Sequence, residues 1–170
     1  AYTIGRTFGY TVINRLQSNI IASGYDGRLT SPDLHQALCE GLKDSGAKVI
    51  NIGMGPTPMT YFAHYHLNAD AAIMVTGSHN PSEYNGFKMV LNKHSFYAED
   101  IQSLQKLIDQ NDLKLIEGEI INQDIKKDYK DRLLQNINLN KKIKIAWDIG
   151  NGAMGAVIKE ITINLSLIHI

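Results

Sequence analysis

A serine, a histidine and an asparagine follow one another at positions 78–80, directly after the apolar run Ala71-Ala72-Ile73-Met74-Val75. Such a run is typical of a strand that is buried on both faces of a parallel sheet. Because ligands of open α/β sheets bind at the carboxyl ends of the strands, the pattern predicts that Ser78, His79 and Asn80 lie at a site. A serine on such a loop can act as a nucleophile.

A lysine ten positions later is the candidate partner of this serine. Pro81 ends regular structure, and Asn85-Gly86 favours a tight hairpin turn, because both residue types tolerate positive φ. The turn would return the chain as the strand Phe87–Leu91 and bring Lys88 near Ser78. The sequence therefore predicts a nucleophile with a cationic or proton-transferring neighbour.

Four motifs resemble one enzyme family, the α-D-phosphohexomutases, and within it the phosphomannomutase/phosphoglucomutase branch. The resemblance covers the chain from about residue 1 to about residue 161, and the motifs occur in the family's order. Tyr25 stands where an arginine is common in the family. The motifs are Gly24-Tyr25-Asp26-Gly27-Arg28-Leu29-Thr30, Gly53-Met54-Gly55-Pro56-Thr57-Pro58, Thr76-Gly77-Ser78-His79-Asn80-Pro81 with Tyr84-Asn85-Gly86-Phe87-Lys88, and Asp148-Ile149-Gly150-Asn151-Gly152-Ala153.

The resemblance implies a reversible shift of phosphate between C1 and C6 of a hexose through a phosphoserine and a hexose 1,6-bisphosphate intermediate. It places the phosphate on Ser78 and gives Lys88 the acid/base role, with His79 and Asn80 beside the serine. Arg28 would orient phosphate by a bidentate contact. The implied substrates are mannose or glucose 1- or 6-phosphate.

The resemblance also implies a Mg²⁺ ion, which would contact this chain through the phosphate on Ser78. The family's three aspartate ligands, its sugar-reading loop and its last phosphate loop have no counterpart here. Asp26 and Asp148 lie in unrelated turns, so they do not replace the aspartates. We expect the 170 residues to be a fragment, truncated at both ends, that has no mutase turnover alone.

Apolar spacing predicts an α/β fold, a three-layer α/β/α domain with a mixed, mostly parallel sheet. Ser31 should cap a helix that has Pro32 at its first position and ends near Gly46. Further helices are predicted over Ile4–Leu16, Pro58–His66, Ala98–Gln110 and Asp124–Ile137, and further strands over Ile20–Ala22 and Lys48–Ile52.

Three parts are predicted along the chain. Residues 1–137 would form the phosphoserine domain without its first strand, and the polar residues 138–141 a linker. Residues 142–170 would begin a second α/β domain that is incomplete, with a strand over Lys142–Ala146 and a turn at 150–152 that leads into a helix.

Composition excludes several classes of function. Lys and Arg number 17, as do Asp and Glu, so no global field attracts nucleic acid or an anionic membrane. No apolar stretch approaches the roughly 18 residues of a membrane span. The single Cys39 excludes an intramolecular disulfide, and it favours a reducing, cytoplasmic location.

Three alternatives stay open. A serine hydrolase is disfavoured because Gly77-Ser78-His79-Asn80 lacks the second glycine of a nucleophile elbow. A non-catalytic remnant, or a module that binds phosphosugars without converting them, is favoured by the missing metal loop. A third hypothesis is assembly with the missing domains II–IV as a separate chain.

Overall fold

A computed structural model describes residues 1–110, 112–137, 144–150 and 152–164. The helices are α1 (Tyr2–Leu16), α2 (Ser31–Lys43), α3 (Thr57–His66), α4 (Glu99–Gln110), α5 (Lys126–Leu134) and α6 (Gly155–Asn164). The strands are β1 (Ile20–Tyr25), β2 (Lys48–Met54), β3 (Ala71–Val75), β4 (Phe87–Leu91), β5 (His94–Phe96) and β6 (Glu119–Asn122).

The six strands form one sheet in the order β5-β4-β3-β1-β2-β6. β3, β1, β2 and β6 are parallel, whereas β4 and β5 add in antiparallel fashion at one side. Each face of the sheet carries its own apolar cluster under helices. The predicted α/β/α architecture with a mixed sheet is therefore confirmed.

One cluster contains residues from α1, α2 and α4, including Phe8, Leu38 and Leu104. The other contains Met59 of α3, Tyr129 of α5, and Val157 and Ile161 of α6. β3 is buried along its whole length between them, as its apolar sequence predicts. No helix within the described ranges has the length and apolarity needed to span a membrane.

The predicted cap of α2 is wrong in detail. Ser31 is the first helical residue, Thr30 occupies the N-cap position, and no side chain caps the helix. The Ser31 hydroxyl instead donates to Oδ1 of Asp26 at 2.5 Å. Serine is a common N-cap residue, but the Asp26 carboxylate in the preceding loop binds the Ser31 hydroxyl, which is therefore not used as a cap.

The predicted Asn85-Gly86 turn is also wrong. Eleven residues, 76–86, join β3 to β4, and neither Asn85 nor Gly86 has positive φ. The Asn85 amide instead donates to the hydroxyls of Thr30 and Ser31 across the loop. The contact with Thr30 and Ser31 thus fixes the conformation of Asn85-Gly86, although the turn propensity of these two residues favours a two-residue hairpin turn.

Several other boundaries differ from the predictions. β1 and β2 extend to Tyr25 and Met54, and the short strands β5 and β6 were not predicted. α5 covers less than the predicted range 124–137. Of the predicted strand 142–146, the first two residues lie outside the described ranges, and residues 144–146 form no strand. The predicted linker, 138–141, also lies outside them, whereas a helix does follow the turn at 150–152.

Candidate phosphoserine site

Three of the four motifs meet at the carboxyl ends of β1, β2 and β3. The amide of Asp26 donates to the carbonyl of Val75 at 3.0 Å, and the amide of Gly55 donates to that of Tyr25 at 3.0 Å. The loops after the three parallel strands are thus held side by side, at the edge where ligands of α/β sheets bind. The fourth motif is adjacent, because a β-carbon on Gly27 would lie 3.9 Å from the amide nitrogen of Ala153.

Ser78 is exposed on the loop that leaves β3, and its backbone is left-handed, with φ of 53°. Its amide donates to the Thr76 hydroxyl at 3.0 Å. Non-glycine residues adopt this conformation uncommonly, and of the six that do so in the described ranges Ser78 is the one that lies in the loops after β1, β2 and β3. The geometry directs the serine away from the sheet into solvent, where a substrate can reach it.

The Lys88 side chain is also exposed, on β4. The register pairs Lys88 with Met74 and Phe87 with Val75. Lys88 therefore lies on the strand next to β3, near the end from which the Ser78 loop leaves. No hydrogen bond joins Lys88 to Ser78 within the described ranges, so the acid/base role of Lys88 stays a prediction.

His79 and Asn80 are exposed on the same loop. The amide of Asn80 donates to the carbonyl of Gly77 at 3.0 Å, which closes a tight turn around Ser78. Ser78, His79 and Asn80 are thus exposed together on the loop that leaves β3. Their contacts with a substrate stay predictions.

Arg28 reaches across from the loop after β1 into the Ser78 loop. Its guanidinium donates to the carbonyls of Ser78 at 3.1 Å, Asn80 at 2.7 Å, Pro81 at 2.6 Å and Tyr84 at 3.0 Å. The structure therefore places Arg28 against the loop that carries Ser78. The predicted contact of Arg28 with phosphate stays untested.

Asp26 lies beside Arg28 in the loop after β1, and the sequence analysis considered it only as a metal ligand, a role it rejected. Burial alone would raise the pKa of this carboxyl, but hydrogen bonds from Ser31, from the backbone of Arg28 and from Thr76, together with the Arg28 charge, hold it below its ordinary value. The Arg28 amide donates to Asp26 Oδ1 at 3.1 Å, two residues along. This Asx turn is a local signal that could have found the residue.

A second polar cluster lies in the core, away from solvent. Nε2 of His35 lies 3.0 Å from the Ser23 hydroxyl and 3.4 Å from Sγ of Cys39. Burial lowers the pKa of His35 to about 4, although a hydrogen bond with Ser23 opposes it, and burial raises the pKa of Cys39 to about 11. A neutral imidazole beside a protonated thiol is inert, so this cluster is structural.

The described residues do not themselves fit a Mg²⁺ site. They contain no group of three or more His, Cys, Asp or Glu side chains that could hold a metal ion. Asp26, the carboxylate of the site, is already engaged by Ser31 and Arg28. A hard cation needs several convergent oxygens, which these residues do not supply.

The fold and the loop architecture define an α/β/α domain that presents a serine at a sheet edge. A family model described as "Phosphoglucomutase/phosphomannomutase, alpha/beta/alpha domain I" matches residues 1–115. The chain therefore belongs to the phosphoglucomutase/phosphomannomutase family, as the motifs indicate.

Relatives in bacteria support this assignment. The chain is 38% identical over 161 residues to the phosphomannomutase/phosphoglucomutase of Pseudomonas putida, covering 95% of the chain and 35% of that protein. It is 39% identical over 158 residues to a phosphoglucomutase of Neisseria gonorrhoeae, covering 92% of the chain and 34% of that protein. The chain thus spans about a third of the length of these relatives.

A solved structure confirms the fold. A phosphoglucomutase/phosphomannomutase family protein of Burkholderia thailandensis superposes with a TM-score of 0.90 at 35% identity, covering 99% of this chain and 39% of that one. A structure described as a putative phosphomannomutase from Thermus thermophilus has a TM-score of 0.81 at 23% identity and supports the fold alone.

Proposed function

We propose that this chain is the phosphoserine-bearing part of a hexose phosphate mutase of the phosphomannomutase/phosphoglucomutase type. The observation that carries the proposal is the exposed, left-handed Ser78 on the loop after β3, in a chain that belongs to this family. Mannose and glucose 1- or 6-phosphates are the proposed substrates, since the relatives' names contain both activities.

In the proposed reaction, Ser78 carries the phosphoryl group. The bond between phosphorus and the serine oxygen breaks as a bond forms to a sugar hydroxyl, giving a hexose 1,6-bisphosphate. Lys88, as acid/base, takes the proton of that hydroxyl, and the departing serine oxygen takes up a proton from water to become a hydroxyl. Return of phosphate from the other end of the sugar regenerates the phosphoserine, while His79 and Asn80 contact the transferred group.

The test is transfer of phosphate from glucose 1,6-bisphosphate to the purified chain, followed by intact mass and peptide mapping. We expect a gain of one phosphoryl group at Ser78. The variant Ser78→Ala should gain none, whereas Ser82→Ala, which removes another exposed serine of the same loop, should behave as wild type. A folded chain that takes up no phosphate would overturn the carrier role and favour the non-catalytic alternative.

A second measurement separates phosphate uptake from turnover. We expect the 170 residues not to convert mannose 1-phosphate or glucose 1-phosphate, because the described residues lack a cluster of metal ligands. A coupled assay on the purified chain measures this directly. Sustained conversion would show that the chain suffices for the mutase reaction and contradict this part of the proposal.

A further inference from the structure

The Arg28 guanidinium makes four hydrogen bonds inside the protein, and its fifth N–H group lies on the nitrogen that forms an ion pair with Asp26. An arginine has five N–H donors. Nη1 donates to the carbonyls of Pro81 and Tyr84, and Nη2 donates to those of Ser78 and Asn80. Nε, which carries the remaining N–H, lies 3.4 Å from Oδ2 of Asp26. A phosphate oxygen would therefore have to compete with four carbonyls for Nη1 and Nη2 and with the Asp26 carboxylate for Nε.

Asp26 holds the guanidinium in this position. Its Oδ1 accepts from the Ser31 hydroxyl and from the Arg28 amide, while its Oδ2 faces Nε of Arg28. The side chains of Asp26 and Arg28 are only 17% and 16% exposed. Hydrogen bonds of a charged group in such partly buried surroundings are stronger than those of neutral groups in water.

Gly77 provides the space that the guanidinium occupies. A β-carbon at this position would overlap Cζ and Nε of Arg28 and the carbonyl oxygen of Tyr84. Gly77 does not have positive φ. The close approach of Arg28, and not backbone freedom, therefore explains why a residue without a side chain stands next to Ser78.

We infer that Arg28 is a positioning residue, which organises the segment 76–86 by binding four of its carbonyls and so presents Ser78 in its left-handed conformation. This role differs from the direct phosphate contact implied by the family resemblance. The inference rests on the proposed function only in assuming that the loop presents Ser78 for phosphoryl transfer. The geometry of the loop itself requires no phosphate.

Amide hydrogen exchange on the chain without ligand tests the inference. Ser78, Asn80 and Tyr84 have amides bonded within the loop, to the Thr76 hydroxyl, the Gly77 carbonyl and the Pro81 carbonyl. Arg28→Lys keeps the charge, but a single ammonium cannot bond four carbonyls. We expect these three amides to exchange at least about tenfold faster, while amides of β3 keep their rates.

Two further variants make this result decisive. Arg15→Lys alters an arginine that binds Asp100 and Ser103 far along the chain, so it should leave loop exchange unchanged. Gly77→Ala should displace the guanidinium without removing it and loosen the loop as Arg28→Lys does. If Arg28→Lys fails to fold, Gly77→Ala gives the answer. Loop exchange that stays at the wild-type rate in the folded variants would overturn the inference.

The kinetics of Ser78 phosphorylation by glucose 1,6-bisphosphate separate positioning from direct phosphate binding. A misplaced serine should lower the maximal rate at least about tenfold with little change in the half-saturating concentration. A rise in that concentration alone, with loop exchange unchanged, would instead assign Arg28 to the phosphate. If the wild-type chain takes up no phosphate, the proposed function fails, and the exchange experiment still decides the role of Arg28.

Discussion

The left-handed backbone of Ser78 is a strained feature that surrounding contacts hold in place. The left-handed region of φ/ψ space costs a residue with a β-carbon roughly 1–2 kcal/mol, whereas glycine has no such cost. The Thr76 hydroxyl accepts a hydrogen bond from the Ser78 amide, and Arg28 donates a hydrogen bond to the Ser78 carbonyl. Both backbone polar groups of the residue are therefore held in place. The conformation therefore belongs to the loop as a whole and not to the serine's own preference.

This strain predicts that Ser78→Gly is more stable than Ser78→Ala by about 1 kcal/mol, although both variants lose the hydroxyl. Urea unfolding of the two variants measures the difference in free energy of unfolding. Ser82, whose φ is not positive, provides the matched control. There glycine should be the less stable choice because of its greater entropy when unfolded. Equal stabilities for the two Ser78 variants would contradict the strain.

The α1 and α2 helices pack closely because glycines line their contact. A β-carbon on Gly5 would overlap the carbonyl oxygen of Leu38, and one on Gly41 would overlap that of Tyr2. These obstacles are backbone atoms, so no side-chain rotation can relieve the overlap. The separation of the two helices is therefore set by residues that lack side chains.

We accordingly expect Gly5→Ala to destabilise the protein by about 2 kcal/mol, although alanine is the better helix former by roughly 1 kcal/mol. Thermal unfolding measures the change. Thr3→Ala on the exposed side of α1 is the control, and it should stay within about 0.5 kcal/mol of wild type. A Gly5→Ala variant as stable as wild type would show that the helices can separate at little cost.

His35 on α2 makes the stability depend on pH. Its pKa is about 4 in the folded protein, against an ordinary 6.5, mainly because of burial. As pH falls below 6.5, His35 binds a proton in the unfolded chain. In the folded chain His35 stays neutral until about pH 4. Stability is therefore lost across this window, by about 3 kcal/mol in total.

Urea unfolding at pH 7 and pH 4.5 tests this effect. His35→Gln should remove the part of the loss that His35 causes, since glutamine does not titrate, and the buried His64, whose pKa burial also lowers, should cause part of the remainder. His94→Gln, at an exposed position of β5, should keep the wild-type loss. An identical pH dependence in wild type and His35→Gln would assign the acid sensitivity to other groups.

The elements predicted well from sequence are those with strong local signals. The helix α2 has Pro32 near its start and buried Leu38 and Leu42 one turn apart, and β3 is apolar throughout. The strand β6 was not predicted because it is defined by its pairing with β2, which is distant in sequence. In this pairing Lys48 lies opposite Glu119. A four-residue edge strand with two exposed ends has little local pattern to detect.

The site was predictable in part for a similar reason. Ser78 was identified because it follows β3, and Arg28 because it stands in a recognisable motif. The Asn85-Gly86 turn was predicted wrongly because Asn85 binds Thr30 and Ser31, more than fifty residues earlier in the sequence. Turn propensity describes neighbours in sequence, whereas tertiary contacts fix this loop.

At the scale of the whole molecule, α6 joins the two parts that the sequence separates. Val157 and Ile161 of α6 are buried in the cluster that contains Ile125 and Tyr129. Lys130 of α5 and Glu160 of α6 form an ion pair at 2.8 Å. Helix α6, which follows the predicted linker, therefore belongs to one of the two helical layers that cover the sheet. We expect its packing to contribute to the stability of residues 1–137.

Two isoleucines on α6 provide a matched test of this packing, since Ile161 is 5% exposed and Ile163 is 62% exposed. Ile161→Ala should cost about 2–3 kcal/mol, whereas Ile163→Ala should change stability by less than about 0.5 kcal/mol. At this chain length, each kcal/mol corresponds to roughly 2–4 °C in Tm, so thermal unfolding resolves the two variants.

A chain that ends at residue 137 extends the test from one side chain to the whole helix. Without α6, the cluster that contains Ile125 and Tyr129 loses Val157 and Ile161, and the shortened chain should melt at least as early as Ile161→Ala. If the shortened chain instead melts with the full chain, and both alanine variants leave Tm unchanged, residues 1–137 fold without help from α6. The predicted boundary would then separate two energetically independent parts.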